Sequence, residues 1–153
     1  MENLFKKQLV QIFEQANNFI NDYNKKAMQE GFLPLSKQAV RIAGQVAMLL
    51  SDLPFSVAST TDIDCVQQPQ YEVFTKLDEL FLDQGLHLEK DSKLIWMPPD
   101  TVYHVLCDLP YMHVEYADHR DVMRSKERFN REKDKKLIET YRVFFPDYTK
   151  RKT

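Results

Sequence analysis

From about Glu2 to Glu30 the apolar residues Phe5, Leu9, Ile12, Phe13, Ala16, Phe19, Ile20 and Tyr23 recur at helical spacing, with Lys, Gln, Asn and Asp between them. This stripe predicts one long amphipathic helix over 2–30, whose apolar face must be covered by a core. Gly31 and Pro34 then break the pattern with the residues that ordinarily end a helix. A second strongly helical stretch runs from about Asp118 to Phe144, with a break near Phe129–Asn130. A chain of 153 residues can bury one core and is too short for two domains of ordinary size. The expected layout is a single domain with its core over about 37–145 and a frayed tail over 146–153.

The middle of the chain is less uniform. Between Lys37 and Asp52, propensity favours one helix, while a short strand through Val40–Ala43 that turns at Gly44 into a helix from Gln45 fits nearly as well. Phe55, Val57, Thr60, Thr61, Ile63, Cys65 and Val66 predict a strand over Phe55–Gln67. A helix from Pro69 to about Gln84 carries Tyr71, Phe74, Leu77, Leu80 and Phe81 on one side, and Gly85 stops it. Leu86–Glu89, Lys93–Met97, Thr101–Cys107 and Met112–Tyr116 read as short extended segments. Helices at both ends around strands of this kind predict an α+β fold, an α/β sandwich with a mixed sheet flanked by helices.

The formal net charge of -2 argues against a chain-wide attraction to nucleic acid or anionic lipid. The basic residues Arg120, Arg124, Lys126, Arg128, Arg131 and Lys133 alternate with acids. They read mainly as a solvated helix face with pairs such as Glu127–Arg131 and Arg128–Glu132, with an RNA contact as the functional alternative. No apolar run approaches the roughly 20 residues of a spanning helix, so no membrane association is expected. Glu2, Lys6 and Lys7 leave no secretory core near the start. Cys65 and Cys107 sit among apolar neighbours and are expected to be buried, reduced thiols, which points to the cytoplasm. His87, His104, His113 and His119 lack helical metal-ligand spacing, and three glycines in all exclude the two common glycine-rich phosphate loops.

Chemistry concentrates in Thr60-Thr61-Asp62-Ile63-Asp64-Cys65. On a strand, Asp62 and Asp64 face one side while Ile63 and Cys65 face the core. The two carboxylates then lie roughly 6.5–7 Å apart along the strand. That spacing suits joint binding of one Mg²⁺ or of two neighbouring ions. Two close aspartates on a strand repel each other, and a cation relieves that repulsion; the alternative is a pair on the solvated face of an edge strand or in a turn.

The run Ile42-Ala43-Gly44-Gln45-Val46-Ala47-Met48-Leu49-Leu50, followed by Thr60-Thr61-Asp62-Ile63-Asp64, resembles the opening of the minimal nucleotidyltransferases, closest to the toxin-type members of bacterial toxin–antitoxin pairs. The resemblance extends through short motifs from Val40 to Tyr141. It implies Asp62, Asp64 and a third carboxylate as ligands of Mg²⁺ (or Mn²⁺), with an NTP as substrate. Met112-His113-Val114-Glu115-Tyr116 has the needed alternation, which makes Glu115 the candidate third ligand or base. Gly44, Gln45, Thr60 and Thr61 would line the nucleotide phosphates. Lys126, in Val122-Met123-Arg124-Ser125-Lys126, would offset transition-state charge, while Arg131 and Asp134 read as pairing residues. The acceptor would be an RNA end, a protein hydroxyl or a small molecule. Gln45 stands where the family has a second small residue, and Val57-Ala58-Ser59 where an arginine is often found. These departures motivate the alternative of a catalytically degenerate binding module that works with a protein partner.

Overall fold

The computed structural model describes residues 3–149, so the expectations for Glu2 and for a frayed Lys150–Thr153 lie outside the described residues. The chain runs α1 (Leu4–Gln29), β1 (Gln38–Ala43), α2 (Gly44–Leu49), β2 (Asp62–Gln67), α3 (Tyr71–Leu82), β3 (His87–Glu89), a 3-10 turn over Lys90–Leu94, β4 (Tyr103–Asp108), β5 (Met112–Ala117), α4 (His119–Phe129), a second 3-10 turn over Glu132–Asp134, and α5 (Lys135–Phe144). The α+β sandwich expected from the sequence is the fold found. Five strands form one mixed sheet in the order β3-β2-β1-β5-β4. β1 runs antiparallel to β2 and parallel to β5, and β2 runs parallel to β3.

Alternation along the strands divides the interior into two cores. Val40, Ile42, Ile63, Cys65, Met112 and Val114 face the stripe of α1 (Leu9, Ile12, Phe13, Ala16, Ile20) and Val73, Leu77 and Phe81 of α3. Phe13 meets Phe81 edge to face at 5.8 Å, and each large apolar side chain buried there contributes about 1.5–3 kcal/mol. The opposite face carries a smaller core of Ala47, Met48, Ala117, Val122, Met123, Ile138, Tyr141 and Tyr148, which holds α4 and α5. Because Tyr148 is buried in that core, the packed chain extends past residue 146, where the tail was expected to start. No helix among the described residues is long and apolar enough to cross a membrane.

Four local expectations are revised. The strand expected over Phe55–Gln67 begins only at Asp62, because Phe55 and Val57 turn away to pack in the smaller core. Phe55 stacks on Phe144 at 5.1 Å. Lys93 and Leu94 belong to a 3-10 turn, and Ile95–Met97 follow it without forming a strand. β3 is only three residues long, and beyond it the buried Ser92 hydroxyl accepts from the Cys65 N–H at 2.9 Å and donates to backbone carbonyls. A side chain thus completes the ladder that the strand does not. The C-terminal helical stretch breaks where expected, at Asn130, which adopts a left-handed φ of 49°, but the pairing across the break differs. The expected pairs Glu127–Arg131 and Arg128–Glu132 therefore give way to Glu127–Arg142 and Arg131–Asp134. Finally, Cys65 is buried but Cys107 only partly so, and both thiols are free.

Loops are tied to helices by buried amides. Just past the end of α1, Gly31 has a φ of +78° and the Phe32 N–H reaches back to the Ala27 carbonyl at 2.8 Å. Asn24, buried on α1, receives the Leu35 N–H at 2.7 Å and donates to the Leu35 carbonyl at 3.0 Å. Replacing Asn24 by Ala leaves both backbone groups without this partner and should lower the unfolding free energy by roughly 1–3 kcal/mol in urea titration.

Candidate functional site

The site forms where β1 ends and β2 begins. Ala43 lies opposite Asp64 in the ladder, and the chain passes from Ala43 directly into α2 at Gly44. Gly44 has φ +64°, and a Cβ built there would sit 2.6 Å from Asp64 Oδ2. Glycine is required at this position twice over, once for the left-handed backbone and once for the volume the carboxylate fills.

Around this corner opens a cavity of about 700 Å³ lined by Gly44, Gln45, Thr60, Asp62, Asp64 and Lys126, together with Ser59, Glu89, Asp91, Arg131, Lys133 and Asp134 among others. Six of the eight residues singled out from the sequence therefore meet in one place. Thr60 accepts the Asp62 N–H through its hydroxyl at 3.2 Å. Gln45 Nε2 donates to the Ala58 carbonyl at 2.9 Å, fastening the loop before β2 to α2.

Thr61 and Glu115 do not line the cavity. Thr61 is exposed and contributes its carbonyl to the His87 N–H. Glu115 shares the sheet face of Asp64, but β1 separates their strands. Strand spacing and rise put their Cα atoms on the order of 12 Å apart. Arg41 Nε binds Glu115 at 3.0 Å, and His113 lies at 3.6 Å from its other oxygen. The acid beside the Asp pair is Glu89, whose backbone is in register with Asp64 across β2 and β3. The sequence offered a signal for it: Leu86 and Leu88 point into the core while His87 and Glu89 point out, the same alternation that singled out Glu115.

One wall of the cavity is acidic and the facing wall is basic. Burial is the main cause that raises the Asp64 pKa above the usual carboxylate range, reinforced by Glu89 and Asp62 and opposed by Lys126 and Arg131. Across the cavity Lys126 is almost fully buried and its Nζ donates to Asp134 at 3.1 Å, while Arg131 Nε donates to the other Asp134 oxygen at 3.0 Å. Burial opposes ionisation of Asp134, but two cations outweigh it and hold its carboxyl below the ordinary range. Lys126 has one acid to share and is pushed below the usual lysine range by burial. Such a cavity suits a ligand that is itself divided by charge, positive toward the acids and negative toward the cations.

Two outcomes test this geometry. Gly44→Ala should destabilise the fold by roughly 2 kcal/mol or more, from backbone strain and overlap with Asp64. Combining it with Asp64→Ala should recover the overlap but not the strain, giving a non-additive cycle in denaturant titration. The second outcome concerns pH. The folded state holds the Asp64 proton more tightly than the unfolded chain, so the contribution of this group is greatest at low pH and is lost as pH rises through its folded pKa. Asp64→Asn should therefore stabilise the protein at neutral pH, with the gain shrinking toward pH 4 when unfolding is measured across that range. No family model, no curated protein and no solved structure matches the chain.

Proposed function

We propose that the protein is a Mg²⁺- or Mn²⁺-dependent nucleotidyltransferase of the minimal type, which moves a nucleoside monophosphate from an NTP to an acceptor hydroxyl and releases pyrophosphate. The observation that carries this reading is the convergence of Gly44, Gln45, Thr60, Asp62, Asp64 and Lys126 on one cavity with an acidic and a basic wall. In this reading Asp62 and Asp64 would hold the metal, with Glu89 beside Asp64 in the role first given to Glu115. The two aspartates offer carboxylate oxygens, the hard donors that suit these ions. Among the described residues no three acidic, histidine or cysteine side chains are grouped to hold a metal alone. That is compatible with Mg²⁺, which is ordinarily held by one or two carboxylates plus substrate phosphates and water. When bound, the ion would offset charge on the triphosphate and fix its orientation. Lys126, Arg131 and Lys133 face the same space and would stabilise the negative charge that builds on the phosphates. The acceptor is an RNA end, a protein hydroxyl or a small molecule. A cytoplasmic location agrees with the two free cysteines.

One observation favours a second reading, a non-catalytic module on this fold that serves a protein partner. The Gln45 side chain occupies the cavity wall and is committed to the Ala58 carbonyl, where close approach of a phosphate would need a small residue.

Thermal-shift titration with each NTP, with and without Mg²⁺, separates the two. A ligand at 100 times its Kd adds about 2.7 kcal/mol, or roughly 5–10 °C in a domain of this size. The first reading expects a shift that requires Mg²⁺ and disappears in Asp62→Ala, whose exposed side chain leaves the core intact. No shift with any nucleotide would overturn it in favour of the second.

A further inference from the structure

Two of the large apolar side chains left exposed by the fold, Leu94 at 77% and Phe129 at 48%, open onto the same cavity as the Asp pair. They come from different elements, the 3-10 turn after β3 and the last position of α4. With Ile95, Met97 and Val122 they add an apolar lining to a cavity otherwise made of charges. Exposed apolar residues scattered singly need no explanation, but two converging on one concave site do.

The chain around Phe129 links this lining to the charged wall. Asn130 turns in the left-handed conformation, and Arg131 and Lys133 come back to line the cavity beyond Phe129. A flat apolar surface thus lies a few residues from three cations. Inorganic polyphosphate would satisfy the cations and leave the apolar side chains in water. A nucleotide satisfies both, its triphosphate on the cations and its base on the apolar lining.

We propose that Leu94 and Phe129 form a nucleobase seat that selects by ring size and not by base edge, so that the substrate is a purine nucleoside triphosphate, ATP or GTP alike. This inference rests on the nucleotide reading of the cavity given above. Phe129 supplies the stacking face, and a two-ring base buries more apolar surface on it than a pyrimidine does. None of the five apolar side chains carries a hydrogen-bonding group to read the base edge. The neighbouring Ser125 hydroxyl is committed to the Trp96 carbonyl at 2.6 Å. Trp96 does not line the cavity, and its ring is covered by the Arg128 guanidinium at 4.2 Å.

Isothermal titration with ATP, GTP, CTP, UTP and inorganic tripolyphosphate, all with Mg²⁺, tests the seat on the wild type, Phe129→Ala and Leu94→Ser. Leu94 is largely exposed and Phe129 about half, and neither is part of the two cores, so both variants keep the cores. The expected result is ATP and GTP within about threefold of each other and roughly tenfold or more tighter than tripolyphosphate, in line with one stacked base. CTP and UTP should fall between. Phe129→Ala should bring every nucleotide near the tripolyphosphate value while leaving tripolyphosphate unchanged, and Leu94→Ser should do so in part. Equal affinity for all five ligands would overturn the seat and leave the phosphate site standing. Strong discrimination between ATP and GTP would overturn selection by ring size. Absence of binding by any of the five would overturn the nucleotide reading itself, and the seat with it.

Discussion

Where Gly44 lacks a side chain, the Asp64 carboxylate fills the space, and the chain turns from strand to helix without an intervening loop. The rest of the site is built outward from that corner. α2 leaves it with Val46 and Leu50 in the larger core and Ala47 and Met48 in the smaller one, so this short helix is fixed from both sides of the sheet. α4 packs on α2 and carries Lys126 to the facing wall. Gln45, one residue along, ties down the loop that leads into β2. Asn3 at the cap of α1 donates to Leu49 and Asp52, which joins the end of α2 to the longest helix.

The two walls differ in how their charges are compensated. Lys126 and Arg131 share the buried Asp134, so the basic wall carries its own counter-charge and is held in place by it. On the acidic wall Asp62, Asp64 and Glu89 lie together, with His87 Nε2 3.2 Å from Glu89. Concentrating like charge in a half-buried corner works against stability, and such costs are typical of sites arranged for binding.

Much of this was legible in the sequence because it depends on local spacing. The helical stripe of α1 and the in-out alternation of Asp62-Ile63-Asp64-Cys65 need no knowledge of distant partners, and both appear as read. The misassignment of the third acid has a different origin. His87-Leu88-Glu89 and His113-Val114-Glu115 carry the same alternation, and strand order alone decides which of them lies beside Asp64. β3 returns through α3 to the outer side of β2, while β5 pairs on the far side of β1. Strand order is a property of the whole chain, which alternation does not encode. Phe55 and Val57 were read as strand for a similar reason: their β propensity is real, but ring contacts with Tyr141 and Phe144 decide the place of Phe55, and packing on the smaller core that of Val57.

The division into two cores has a mechanical consequence. The acidic wall stands on β2, anchored by Ile63 and Cys65 in the larger core, and the basic wall stands on α4, anchored by Val122 and Met123 in the smaller one. Elements held by separate apolar clusters can loosen separately, because local opening follows cooperative packing units more than the chain as a whole. The cavity thus lies where the two apolar clusters meet, along α2, which contributes to both. A ligand bridging its walls would act as a clasp, and loosening of the smaller core would open the site while the sheet stayed folded.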